Sequence, residues 1–268
     1  MKNIIEIERL NFSYGKNLVI NDLTLNIPEG SFTTILGLNG SGKTTIIKLI
    51  LGLIRGNSVI MCDNAPVTNE KLTVLRKEIG VVFENIENCF VNETVMDEIA
   101  FTLENLNLDR TEISRRVTSI ANKLKIKKIL EHSPEELSYE DKWLTALASA
   151  LVINPKILII DNGFIFLNHA KKKIVLDLLR RYNKKGMTII NATSDSNEAL
   201  YGDNVVILNG GKAILVGSKE EIFNEEKILD KAGIKMPFMI ELSDKLKFYD
   251  LIDKTYFDEE KLVDELWQ

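Results

Sequence analysis

The sequence predicts an α/β fold with an inserted helical lobe and a small C-terminal appendage. Three observations carry this. A strand candidate, Ser31 to Leu36, runs into the loop GLNGSGK, and Thr44 to Leu53 then has helical apolar spacing through Ile46, Ile47, Leu49, Ile50 and Leu53. A second apolar strand candidate, KILIID at 156–161, ends in a carboxylate. Between them, about 93–152 reads as mostly helical, which is too long a stretch to be a loop.

Taken in order, residues 4–36 read as short strands with partial alternation, and Ile27-Pro28-Glu29-Gly30 supplies a turn. Residues 57–62 and 79–83 are further strand candidates, and a periodic helical stretch runs from about Thr111 to Leu130. After KILIID come a helix at roughly 170–182, the strand candidates MTIINAT, NVVILNG and KAILVG, and a short helix from Asp195 to Tyr201. The tail from 219 onward has helical and turn-like pieces. The expected division is a main domain over 1–220, with its helical lobe at about 85–155, and an appendage over 221–268.

Composition narrows the function classes. A chain of 268 residues with 45% hydrophobic residues builds a large core. Its net charge of -5 gives no global signal for nucleic acid, so no such partner is expected. Cys62 and Cys89 lack metal-ligand spacing and read as free thiols, while His132 and His169 read as surface or loop histidines. The start MKNIIEIERL carries no signal-peptide pattern, and no window approaches the ~20 apolar residues of a bilayer span. A cytosolic chain is expected, unless another subunit holds it to a membrane.

Gly37 to Thr44 matches the phosphate-binding pattern G-x-x-x-x-G-K-T. Asn39, Gly40, Ser41 and Gly42 are small enough for backbone N–H groups to wrap a phosphate. Lys43 reaches the β/γ-phosphates, and Thr44, followed by Thr45, offers a hydroxyl to Mg²⁺. Asp161 supplies the complementary carboxylate for Mg²⁺. ATP and Mg²⁺ are therefore the expected ligands.

With these motifs in place, the chain resembles the ABC ATPases, and especially the energy-coupling-factor (ECF) importer ATPases. GVVFENIENCFVNETVMDEIAF at 80–101 resembles their Q-loop region, HSPEELSYEDKWLTALASALVINPKILIID their signature helix and Walker B strand, and GSKEEIFNEEKILDKAGIKMPF their C-terminal segment. The resemblance implies a P-loop NTPase core of ABC-ATPase type. It implies pairing with a second ATPase subunit, as homodimer or heterodimer, so that each nucleotide lies between one phosphate loop and the other subunit's signature segment. It further implies docking, on the cytoplasmic side of the membrane, onto an integral coupling subunit that holds a substrate-binding membrane subunit. By the same resemblance Tyr14 stacks on adenine.

Several positions depart from the family pattern. Glu84 stands at the Q-loop glutamine, where a carboxylate still serves as a candidate Mg²⁺ ligand. Asn162 stands at the catalytic glutamate, and its amide cannot act as a carboxylate base. Ser194 stands at the switch histidine. In the signature, Ser138 is kept, but Tyr139 and Glu140 replace glycines, and Glu140 brings a like charge toward the nucleotide. Asn168 replaces the aspartate of the following loop. The expected function is an ATP-binding subunit of an ECF-type importer, coupling nucleotide binding to uptake of a small molecule or micronutrient, with its own site weak or inactive. A non-enzymatic scaffold and an active NTPase with compensating groups are the alternatives.

Overall fold

The computed structural model describes residues 2–87, 89–106 and 108–267; position 88 of the Q-loop stretch lies outside them. The chain opens with β1 (Asn3–Tyr14) and β2 (Asn17–Pro28), an antiparallel hairpin turned at Gly15 and Lys16. Next come β3 (Phe32–Leu36), α1 (Lys43–Ile50), β4 (Met61–Cys62), β5 (Ala65–Pro66), α2 (Asn69–Glu78) and β6 (Ile79–Val82). The strand expected over 57–62 is confined to its last two residues, which pair with Ile5 and Glu6; Val59 just before them is exposed. Helix α2 has no counterpart in the apolar pattern, because NEKLTVLRKE buries only Leu75.

The helical lobe consists of α3 (Val95–Glu104), α4 (Arg110–Lys123) and α5 (Tyr139–Leu151). Thr94 caps α3 through the Asp97 N–H, and Asp109 caps α4 through the Glu112 N–H. The periodic stretch expected from Thr111 to Leu130 stops being α-helical at Lys123. Lys125 takes φ 61, and the chain resumes only as a 3-10 turn at Lys127–Ile129.

The rest of the core follows as β7 (Ile157–Asp161), α6 (His169–Asn183), β8 (Thr188–Thr193), α7 (Ser196–Ala199), β9 (Asn204–Asn209) and β10 (Lys212–Ser218). The main sheet has the order β10-β9-β3-β8-β7-β6 and is parallel except at β10; β2-β1-β4-β5 form a second sheet. β7 shows why its run is uniformly apolar. Leu158 and Ile160 enter the core shared with α3, α4, α5 and α6, while Ile157 and Ile159 enter the core shared with α1 and the hairpin.

The tail contains α8 (Lys219–Phe223), α9 (Glu226–Lys231), α10 (Phe238–Phe248) and α11 (Glu259–Leu266). Residue 220, where the main domain was expected to end, lies inside α8, which a capping box at Ser218 starts. Ile222, Phe223, Leu229, Ala232, Ile234 and Ile240 pack against Leu36, Val205 and Ile207 of the main sheet. Ile252, Tyr256 and Leu262 make a separate small cluster with Met239, Leu242 and Leu246. Among the described residues no helix is long and apolar enough to cross a membrane.

Candidate functional site

The register of the parallel strands gathers the site. Leu36 stands opposite Thr193, and Asp161 opposite Ala192, so Gly37, Asn162 and Ser194 leave the sheet at one edge, the carboxyl end of the strands. The Gly37 N–H donates to the Thr193 carbonyl at 3.1 Å, which fixes where the loop begins. The loop then turns through Gly40 at φ 80 and Gly42 at φ 107, and Gly42 caps α1. At Gly42 a Cβ would also stand 2.9 Å from Ile20 Cδ1, so both backbone conformation and space exclude a side chain. The positive end of α1 consequently points into the cleft beyond the loop.

That cleft, about 460 Å³, is lined by Val19, Asn39, Gly40, Gly42, Lys43, Thr44, Thr45, Glu84, Asp161 and Asn162. The structure thus brings together the phosphate loop, the end of β7 and Glu84, two residues past β6, which lie far apart in sequence. Lys43 Nζ donates to the carbonyls of Gly37 at 2.8 Å and Leu38 at 3.0 Å. Asn162 has left-handed backbone (φ 50) and its Nδ2 donates to Glu84 Oε1 at 3.1 Å. Ser41 Oγ, Asp161 Oδ1 and Asn162 Oδ1 are buried without a hydrogen-bond partner. Buried polar atoms are nearly always paired. Oxygens left bare beside a glycine cradle fit a site completed by a cation and a polyphosphate.

The electrostatics also fit a site for a cation and a polyphosphate. Burial pushes the Lys43 ammonium below its ordinary pKa, and Asp161 and Glu84 only partly offset this. Burial likewise lifts the Asp161 carboxyl; Thr44 and Lys43 pull it back, while the Glu84 charge adds to the rise. Asp161, Glu84 and one desolvated lysine therefore crowd a space in which a divalent cation would favour the charged form of Asp161.

Other expected site residues stand outside the cleft lining. Tyr14, 46% exposed, sits at the tip of the hairpin with its ring 4.8 Å from Phe12, while Val19 of the same hairpin lines the cleft. Ser194 is an exposed bend residue directly after β8. Behind it Lys172 bridges Asp195 and Glu198, each at 2.7 Å, and Glu198 also accepts from Asn191 at 3.0 Å. Nothing in the local pattern of the lysines at 171–173 signals this pairing, whose acidic partners lie 23 and 26 residues further on. Ser138 caps α5 through the Asp141 N–H at 3.2 Å. Tyr139 and Glu140 both turn back onto their own chain. The Tyr139 hydroxyl donates to the Glu84 carbonyl at 3.1 Å, and Glu140 accepts from Asn168 and pairs with Lys171. The like charge expected to face a nucleotide is thereby engaged within the subunit.

The ABC transporter family model matches residues 20–164. The energy-coupling factor transporter ATP-binding protein EcfA1 of Lactobacillus johnsonii is 35% identical over 99% of this chain and 97% of its own length. The protein of the same name from Bacillus subtilis is 35% identical over 98% of this chain and 96% of its own. Among solved structures, cbiO1 from Clostridium perfringens, described as part of the ABC transporter complex cbiONQ, superposes with a TM-score of 0.76. It is 31% identical, over 91% of this chain and 100% of that one.

Proposed function

The chain belongs to the ABC transporter family and, within it, to the ATP-binding proteins of energy-coupling factor transporters, and from that premise we propose that it binds MgATP in the cleft over Lys43 and hydrolyses it weakly or not at all. The observation that carries the reading is the convergence of Lys43, Thr44, Glu84 and the bare Oδ1 of Asp161 on one cleft. Backbone N–H groups of the loop and Lys43 hold the phosphates. Thr44 and Asp161, with Glu84 as a third candidate, hold Mg²⁺, which supplies charge neutralisation to the β- and γ-phosphates. Weak turnover follows from Asn162, whose neutral amide cannot take a proton from water, and from Ser194, which brings no imidazole.

Small-molecule or micronutrient uptake would be driven by closure onto a second ATPase subunit, a second copy or a distinct companion, and reopening on release. The chain would sit peripherally at the cytoplasmic face, on an integral coupling subunit that carries a substrate-binding membrane subunit. The segment 221–268 is assigned to subunit contacts.

Titrating the purified chain with MgATP is expected to show saturable binding that Lys43→Ala weakens at least about tenfold, the loss expected for charge-assisted hydrogen bonds. Absence of binding by the wild-type chain, alone and in its assembled complex, overturns the reading in favour of a scaffold. One observation favours a second reading, turnover with compensating groups. The Asn162–Glu84 hydrogen bond keeps a carboxylate beside the position that lost one. Phosphate release that Lys43→Ala abolishes would support it.

A further inference from the structure

The two side chains that fill the signature segment share a destination, the loop after β7 and the first turn of α6. Tyr139 packs on Phe166 with ring centroids 4.1 Å apart. Glu140 accepts from the Asn168 N–H at 3.1 Å and from the Asn168 amide at 3.0 Å, and pairs with Lys171. Lys171 Nζ also lies 3.6 Å from Asp141. The changes at 140 and 168 are therefore complementary. An aspartate at 168 would set carboxylate against carboxylate, whereas the amide found there donates to Glu140.

We propose that Asn168 and Lys171 are positioning residues, forming a clasp in cis that draws the Glu140 carboxylate away from the nucleotide held by a second ATPase subunit. The role toward that nucleotide rests on the composite-dimer reading above; the clasp itself rests on contacts within one chain. Burial would lift the Glu140 carboxyl, but Lys171 and Asn168 outweigh it and hold the group below its ordinary pKa. Burial opposes the Lys171 charge, and Glu140 and Asp141 outweigh it in turn. The pair is thus ionised at neutral pH, and its charges cancel locally. The signature segment then meets a polyphosphate with Glu140 neutralised, where a free carboxylate would repel it.

The test has two arms, both on the full-length chain. The first needs no partner: hydrogen–deuterium exchange over 138–145 and 166–172. Asn168→Asp is expected to speed exchange in both segments about tenfold, and adding Glu140→Gln to restore it, as coupled sites behave in a double-mutant cycle. Unchanged exchange in Asn168→Asp overturns the clasp. The second arm is MgATP-dependent association, by analytical ultracentrifugation, of the chain with itself and with companion ATPase subunits purified from the native complex. Lys171→Met is expected to weaken association about tenfold, while Glu140→Gln/Lys171→Met returns to wild-type strength. A double variant as weak as Lys171→Met overturns the proposal, because Lys171 would then act without Glu140. If the wild type never associates in MgATP although the first arm succeeds, the dimer reading fails and takes the clasp's role toward a nucleotide with it.

Discussion

At position 162 an amide follows the Mg²⁺-candidate Asp161 and donates to Glu84 across the cleft, and a neutral amide does not accept a proton as a carboxylate base would. Restoring Asn162→Glu together with Ser194→His is expected to raise phosphate release about a hundredfold, the lower range for a positioned acid–base group. Unchanged turnover in that double variant would mean that these two positions do not set the rate. Gly42→Ala makes a different prediction. With φ 107 and Ile20 Cδ1 at 2.9 Å from the added Cβ, it is expected to abolish MgATP binding and to cost about 1–3 kcal/mol, read by urea unfolding. Most of the cleft was legible at this scale. Lys43, Thr44 and Asp161 follow from a motif whose spacing the chemistry dictates, and Glu84 and Asn162 from their places in the family pattern. The inward turn of Tyr139 and Glu140 was not legible, because their partners lie 55 and 28 residues away and no local pattern announces them.

Among the elements, α6 is fastened to β3 through Asp203. This carboxylate accepts from the Phe32 N–H at 3.1 Å and pairs with Arg180 at 2.6 Å. Burial would raise its pKa, but Arg180 and the Phe32 N–H outweigh it and hold the group below its ordinary value. A lowered folded-state pKa means stability that is present above the unfolded-state value and is lost as pH falls through the folded-state one. Asp203→Asn is therefore expected to destabilise at neutral pH, and the gap from wild type to close in the most acidic part of a denaturation series. The effect should be about 1 kcal/mol or less, because the two side chains remain 33% and 40% exposed and solvent screens them. Asp109→Ala should remove about 1 kcal/mol through the lost cap of α4, read by urea unfolding at neutral pH. Element boundaries were read well where a continuous apolar run is buried on both faces, as in β7 and β8, whereas α1, expected to reach Leu53, ends at Ile50. They were also missed where no such run exists. α2 buries a single leucine, and the α4 pattern runs past a residue whose backbone is left-handed.

For the whole molecule, the tail is energetically two things. Residues up to Ile240, joined by Phe257, pack on the cluster with Val205 and Ile207 of the main sheet, whereas Ile252, Tyr256 and Leu262 pack with Met239, Leu242 and Leu246 of α10. A chain ending after Ser218 is expected to be insoluble, since it bares an apolar sheet face. A chain ending after Phe248 should remain folded and bind MgATP, but lose association with a second subunit, as read by light scattering on a sizing column. The alternation of hydrophobic residues could not reveal that division, because both halves of the tail are short and amphipathic.

Trp143 and Trp267 are the only two indoles in the sequence, and the structure places them oppositely. Trp143 is fully buried in α5, 5.3 Å from Phe164, over Gly163, where even a methyl group would collide with it; Trp267 is 86% exposed. A water-soluble quencher will silence the outer indole and spare the inner one. The protein thus carries its own optical reporter at the joint between the helical lobe and the loop after β7, to be read without an attached dye.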